Sequence, residues 1–307
     1  MKDVIIIGGG PAAYTAALYA SRAELETVVL EGMLPGGRIS LTDIVENYPG
    51  IAEPISGMDL AQIMREQAQK AGAEIIMDIA ENIEQDKKTR IFTITTPYDQ
   101  KFQAKAVILA TGTTDKKLDV PGEKEFTGKG VSYCATCDGP FYRDKRVAVV
   151  GGGDSAVKEA LFLTNLAKQV TVIHRRDKLR AEKVIQTKAF NKPNLEIMWD
   201  TVVLEINGEK SVQSLKLKNV KTGKTTDFEV DGVFILIGSV PNSDLVKKFN
   251  LTDKQGFVPT EPDMSTSIPG LFIAGDIRPK TLHQVTTAVG DGSIAAYSVQ
   301  EYLEDFE

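Results

Sequence analysis

The sequence has little of what metal centres and disulfide frameworks are made from: 307 residues contain two Cys, two His and one Trp. That stock cannot build a Cys-rich zinc site, and His174 and His283 lie far in sequence from Cys134 and Cys137. No G-x-S-x-G segment occurs, so an esterase-type serine nucleophile has no support. Lys and Arg form no run and the net charge is −6. A surface for nucleic acid is therefore not expected, because neutralising phosphates takes clustered cations. No apolar stretch approaches the roughly 20 residues that span a bilayer. The strand-like run Val4-Ile5-Ile6-Ile7 begins after three residues and leaves no room for a signal peptide, so a cytoplasmic protein is expected.

What is present is globular and divisible. Apolar residues make up 42% and charged residues 25%, enough to bury real cores, and the length suits two domains. The two cysteines stand three apart, a spacing that random placement rarely produces. In a cytoplasmic chain such a pair is redox-active more often than structural. Closing so short a loop also gives little entropic leverage on the unfolded state.

The strongest signal is an internal repeat. Val4-Ile5-Ile6-Ile7 leads into Gly8-Gly9-Gly10-Pro11-Ala12-Ala13, and Val147-Ala148-Val149-Val150 leads into Gly151-Gly152-Gly153-Asp154-Ser155-Ala156. Each reads as a strand, a G-x-G-x-x-A turn and an Ala- and Leu-rich helix, followed by a second strand at residues 27–30 and 170–173. The first Gly permits the tight turn and the second admits the pyrophosphate. The small Ala lets helix and strand pack closely, and the helix N-terminus faces the anion. Glu31 ends the second strand of the first unit, where a carboxylate accepts from a free ribose 2′-OH, as in FAD or NAD. The second unit has His174 there, with Arg175, Arg176 and Arg180 following, a set that accommodates a 2′-phosphate and so expects NADPH.

Near the C-terminus, Leu271-Phe272-Ile273-Ala274 is a buried-strand pattern ending in Gly275-Asp276, which puts a carboxylate where α/β ligands bind. From residue 281 onward the sequence reads as helix. The stretch from Thr266 to Asp276 resembles the second FAD fingerprint of two-dinucleotide flavoproteins, which implies an α/β fold with two Rossmann-like dinucleotide-binding domains, the NADPH domain inserted into the FAD domain. The parts are 1–113, 114–242 and 243–307, with polar crossovers near 113–117 and 239–243.

These motifs, with Gly36-Gly37 before Val45-Glu46-Asn47-Tyr48-Pro49-Gly50, and above all Cys134-Ala135-Thr136-Cys137-Asp138-Gly139, resemble the low-molecular-weight, bacterial-type thioredoxin reductases over the whole chain. The resemblance implies a homodimer that carries electrons from NADPH through FAD to Cys134 and Cys137, and on to thioredoxin or a thioredoxin-like protein. It implies that Cys137 faces the flavin, Cys134 attacks the substrate and Asp138 supplies a proton. It places Asp276 at the ribityl chain and puts Gly36, Gly37, Arg38, Asn47, the strand end Ala110-Thr111-Gly112, Ile237, Gly238, His283, Gln284 and Val285 among the cofactor contacts. Arg38 stands where the family commonly has Gln, and His283 where it commonly has Arg.

The chemistry can also be argued from the residues. NADPH delivers hydride whereas a disulfide needs a nucleophile, so a flavin is the natural intermediary. Spacing alone leaves the two cysteine roles open. A glutaredoxin-like or peroxiredoxin-coupled partner is an alternative. A flavin-bound redox sensor is disfavoured by the Arg cluster. Disulfide and nicotinamide belong to one inserted domain and must reach one flavin ring; the resemblance implies that the domain swings between two states.

Overall fold

A computed structural model describes residues 1–42, 44–98 and 100–306. The chain divides into two compact units, residues 1–114 with 240–307, and residues 115–239. In the first unit, β1 (Lys2–Ile7) runs into α1 (Pro11–Arg22) and β2 (Thr27–Leu30), and α2 (Gly57–Lys70) precedes β3 (Glu74–Ile76). β4 (Asn82–Gln85), β5 (Phe92–Thr95) and β6 (Lys101–Leu109) follow, and β7 (Thr113–Asp115) leads out of the unit. The spatial order is β3-β2-β1-β6-β5-β4, parallel across β3, β2, β1 and β6.

The second unit repeats that plan. Its strands are β8 (Val131–Ser132), β9 (Arg146–Gly151), β10 (Gln169–Ile173), β11 (Leu195–Met198), β12 (Thr201–Gly208), β13 (Val212–Asn219), β14 (Thr225–Glu229) and β15 (Gly232–Leu236). Its helices are α3 (Ala135–Asp138), α4 (Asp154–Leu163) and α5 (Lys183–Phe190). The parallel order β11-β10-β9-β15-β8 sets β9, β10, β11 and β15 in the places that β1, β2, β3 and β6 hold in the first unit. β12, β13 and β14 form a separate antiparallel sheet.

β16 (Ser239–Pro241) returns the chain to the first unit, where β17 (Leu271–Ile273) pairs in parallel with the end of β6. The last helix, α6, spans Val285–Glu304. It starts four residues after the point that its apolar pattern suggests. Gln284 is its N-cap, closed by a reciprocal capping box with Thr287, and this fixes residues 281–284 as the approach to the helix.

The first unit's sheet is covered on both faces, which is why β1 is apolar from Val4 to Ile7 and not alternating there. Val4 and Ile6 pack toward α1 and α6, and Ile5 and Ile7 pack on the opposite side with Phe92, Ile94 and Val258. Ala12, Ala13, Ala16, Ala17 and Ala20 make α1 both a good helix former and a thin one. The approach of α6 depends on this: a Cβ on Gly292 would stand 2.3 Å from the Ala12 carbonyl oxygen.

Candidate active site

Backbone crowding builds the first dinucleotide turn. Gly8 has φ +133°, and a Cβ there would lie 2.3 Å from the Ala110 carbonyl oxygen; on Gly9 it would lie 2.5 Å from that of Glu31. Gly10 is the extended N-cap of α1 and offers no side-chain cap, so the N–H groups of Ala12 and Ala13 are left for another acceptor. The turn Gly36-Gly37 closes over it, since a Cβ on Gly37 would be 3.2 Å from the Gly10 Cα.

Glu31 stands at the predicted place, buried, and its neighbours could not be foreseen. Its Oε2 accepts from the Tyr14 hydroxyl at 2.9 Å and from Arg65 Nε at 2.9 Å, and Oε1 accepts from Arg65 Nη2 at 3.0 Å. The Tyr14 hydroxyl in turn accepts the Gly36 N–H. Burial, and then the carboxylate, raise the Tyr14 pKa and keep the phenol protonated as a donor.

At the other motif, Gly275 packs so tightly on α1 that a Cβ would come within 2.9 Å of the Ala12 Cβ, which brings Asp276 to the same turn. Its Oδ1 is buried without a hydrogen-bond partner, and Oδ2 lies 3.9 Å from Arg38 Nη1. Arg38 also donates to the Thr113 hydroxyl at 3.0 Å. Lys280 lies 3.7 Å from Asp276 Oδ1 but is committed to Asp291 at 2.7 Å, and Asp291 is further held by Arg278 and the Gly275 N–H. His283 packs edge-on to Phe257. Burial lowers its pKa against the pull of Asp276, with Lys280 and Arg38 adding to the lowering. Asn47 donates to Gln284 at 3.1 Å, and Val285 opens α6. Asn242 exchanges hydrogen bonds with Thr111 and donates its N–H to the Gly112 carbonyl, which fixes this strand end.

The second turn repeats the first. A Cβ on Gly151 would meet the Ala156 Cβ at 2.5 Å, and one on Gly152 would enter the His174 ring at 2.3 Å. Gly153 is the extended, uncapped N-cap of α4, next to exposed Ser155, and Asp154 accepts the Glu182 N–H. His174 is buried, its Nε2 3.0 Å from the Lys178 carbonyl. Burial lowers its pKa, partly offset by that carbonyl. It thus holds the loop from beneath, while Arg175, Arg176 and Arg180 stand exposed and make no ion pair among the described residues. Ile237 and Gly238 follow β15, and the Gly238 carbonyl accepts the Lys116 N–H.

Cys134 and Cys137 form a disulfide. Cys134 is the N-cap of α3, and the Cys137 N–H points at its sulfur at 3.2 Å. The Ser132 hydroxyl accepts the Cys134 N–H and donates to its carbonyl. Glu159 accepts the Ala135 N–H at 2.6 Å. The Tyr133 hydroxyl donates to buried Glu123, which also accepts the N–H groups of Leu118 and Asp119. Asp138 ends α3 and donates its N–H to the Cys134 carbonyl.

Residues 2–292 match the family described as pyridine nucleotide-disulphide oxidoreductase. Thioredoxin reductase of Bacillus subtilis is 47% identical, with 99% of this chain and 96% of that protein covered. Thioredoxin reductase of Treponema pallidum is 46% identical, with 99% and 98% covered. The chain belongs to the bacterial-type thioredoxin reductases of this family. The crystal structure of thioredoxin reductase from Streptococcus pyogenes superimposes with a TM-score of 0.94 at 48% identity, covering 100% of this chain and 99% of the other. That from Lactococcus lactis, in its FR conformation, gives 0.69 at 44% identity, with 99% and 100% covered.

This family runs on FAD and NADPH, and the residues present fit both. For FAD there are the uncapped α1 N-terminus beside Gly10 and the orphaned buried Oδ1 of Asp276. For NADPH there are the uncapped α4 N-terminus and three exposed arginines that form no ion pair among the described residues. Among the described residues no His, Cys, Asp and Glu cluster could hold a metal, and no helix is long and apolar enough to cross a membrane. The sequence reading missed Arg65, Asp291, Glu159 and Glu123.

Proposed function

We propose that the protein is an NADPH-dependent thioredoxin-disulfide reductase in which Cys134 and Cys137 pass electrons to the disulfide of thioredoxin or a thioredoxin-like protein. The observation that carries this reading is the Cys134–Cys137 disulfide, set in the unit that also carries the Gly151 turn and the arginines. Residues 1–113 with 243–307 bind FAD through Gly8, Gly10, Glu31, Gly36, Gly37, Arg38 and Asp276, and 114–242 bind NADPH through Gly151, Gly153, Arg175, Arg176 and Arg180. FAD, when bound, accepts hydride from NADPH and supplies an electron pair to a disulfide.

The protein's own part is sulfur and proton chemistry. The Cys134–Cys137 bond takes two electrons and two protons, and Asp138 holds a proton for the thiolate beside it. Cys134 thiolate then attacks the partner disulfide, forming a mixed disulfide and releasing one partner thiol. Cys137 thiolate attacks Cys134 Sγ, which releases the second thiol and restores the intramolecular bond. The Cys137 N–H aimed at Cys134 Sγ supports Cys134 as the attacking thiolate. One inserted unit serves one flavin with two groups in turn, which calls for movement at 113–117 and 239–243. A homodimer in the cytoplasm is part of the reading, and exposed Met58, Ile63, Ile294 and Tyr297 offer apolar surface for it.

Anaerobic NADPH should bleach the flavin absorbance, and oxidised thioredoxin should restore it. A flavin that bleaches but is not reoxidised by any thioredoxin would refute the proposal.

A further inference from the structure

The loop that carries the disulfide is held by a carboxylate for which the steps above have no use. Glu159 projects from α4, and its Oε2 accepts the N–H of Ala135, the residue after Cys134, at 2.6 Å. Ala135 is fully buried, so Glu159 is what satisfies that N–H. The bond lies at the short end of the range, as charge-assisted bonds do.

Where this N–H sits gives the contact its consequence. Ala135 opens α3 and Cys134 is the N-cap; amides at such an end lack intrahelical partners and carry partial positive charge. The Cys137 N–H at the same end, 3.2 Å from Cys134 Sγ, is a donor that would stabilise a thiolate in the reduced pair. Glu159, bonded to the N–H of the residue between Cys134 and Thr136, sets its carboxylate against the loop that carries both sulfurs. Asp138 adds a second carboxylate on α3 itself. On α4, Asp154 is committed to the Glu182 N–H and Lys158 is exposed, so neither stands in for Glu159.

We propose that Glu159 is a positioning residue that keeps the Cys134–Cys137 pair strongly reducing, by opposing negative charge on the sulfurs of the loop it holds. A dithiol whose thiolate is stabilised makes an oxidising couple; one whose thiolate is opposed gives up its electrons more readily. The inference rests on the reductase reading of the pair and deepens it.

The test compares holoenzymes of wild type, Glu159→Gln and Glu159→Ala in glutathione buffers of graded composition between pH 7 and 9, with thiols trapped by a mass-tagged maleimide. Gln keeps an acceptor oxygen for the Ala135 N–H and removes only the charge. The Gln pair should stay reduced at a [GSH]²/[GSSG] about tenfold lower than wild type requires, equal to about 30 mV for a two-electron couple. The gap should widen with pH as thiolates come to dominate. The pH midpoint for alkylation of Cys134 by iodoacetamide should fall by about one unit, the lower end for a nearby charge because Glu159 is half-buried. A Gln variant matching wild type in both readouts would overturn the proposal, whether the Ala variant shifts or not, and would leave Glu159 as a cap for Ala135 alone. Because no NADPH enters the titration, a pair that NADPH cannot open in wild type would count against the reductase reading and not against this result.

Discussion

Replacing both Arg175 and Arg176 with Ser probes the second nucleotide site with little structural damage. Both side chains are exposed and neither forms an ion pair among the described residues, so their loss should move folding stability by no more than about 0.5 kcal/mol. A charge-assisted bond to phosphate contributes about 1.5–3 kcal/mol. Exposure favours the low end, so two arginines on a 2′-phosphate amount to about 3 kcal/mol, or roughly 150-fold in KM for NADPH. NADH has no such phosphate. Exposed cations acting only through general attraction to its pyrophosphate are worth under about 0.7 kcal/mol, a change of threefold at most. Steady-state reduction of thioredoxin with each nucleotide, alongside thermal unfolding, measures both sides of the comparison. His174→Ala is the contrasting variant: it removes the ring that holds the Lys178 carbonyl and fills the space against Gly152. It should lower Tm and raise KM for both nucleotides together. Equal losses for NADPH and NADH in the double Arg variant, at unchanged Tm, would refute the assignment of the loop to a 2′-phosphate.

Cys134→Ser and Cys137→Ser should each abolish disulfide reduction while the flavin stays bound and is still bleached by NADPH; loss of FAD instead would mark the bond as structural. Asp138→Asn should slow electron transfer from flavin to disulfide by about 10²–10⁴-fold and leave NADPH-to-flavin transfer nearly unchanged, and stopped-flow rates equal in both halves would remove its role as acid. Burial holds His174 and His283 below the ordinary imidazole value of 6.5 in the folded protein. The unfolded chain therefore binds more protons just below pH 6.5, and stability should rise with pH through that window and fall on acidification. His174→Gln should remove part of that slope in pH-dependent urea titrations, and a slope unchanged in the variant would show that His174 does not contribute.

The range over which a residue acts decided how much of this could be read from the chain. The two turns were legible because strand, glycines, helix and second strand follow within a few dozen residues, and their steric demands fall on neighbours such as Gly151 on Ala156 and Gly152 on His174. The structure carries the repeat further than the sequence did, into the sheet order β3-β2-β1-β6 of one unit and β11-β10-β9-β15 of the other. The start of α6 was misjudged because its apolar period continues upstream while the capping box at Gln284 and Thr287 sets the boundary. Arg65 from α2, Asp291 from α6 and Glu159 from α4 reach the sites across the fold. An ionisable residue on an amphipathic helix has the same sequence pattern whether water or a buried carboxylate or amide receives it, so nothing local could mark them.

Glu31 separates the identity of a residue from its state. Its place was readable, at the end of the second strand after a glycine turn, where the expectation of a free ribose calls for a carboxylate. Its state depends on Tyr14 and Arg65, 17 residues before it and 34 residues after it. Oε2 already accepts two donors, which fills its two lone pairs, whereas Oε1 accepts only Arg65 Nη2. A ribose hydroxyl can therefore be received at Oε1 without breaking either bond at Oε2. The carboxylate has no exposed surface beneath an Arg65 side chain that is 23% exposed, so on the proposed FAD reading a ribose hydroxyl would have to turn Nη2 aside. A pivot of Arg65 about its Nε bond to Oε2 would keep the ion pair while Oε1 changed partner.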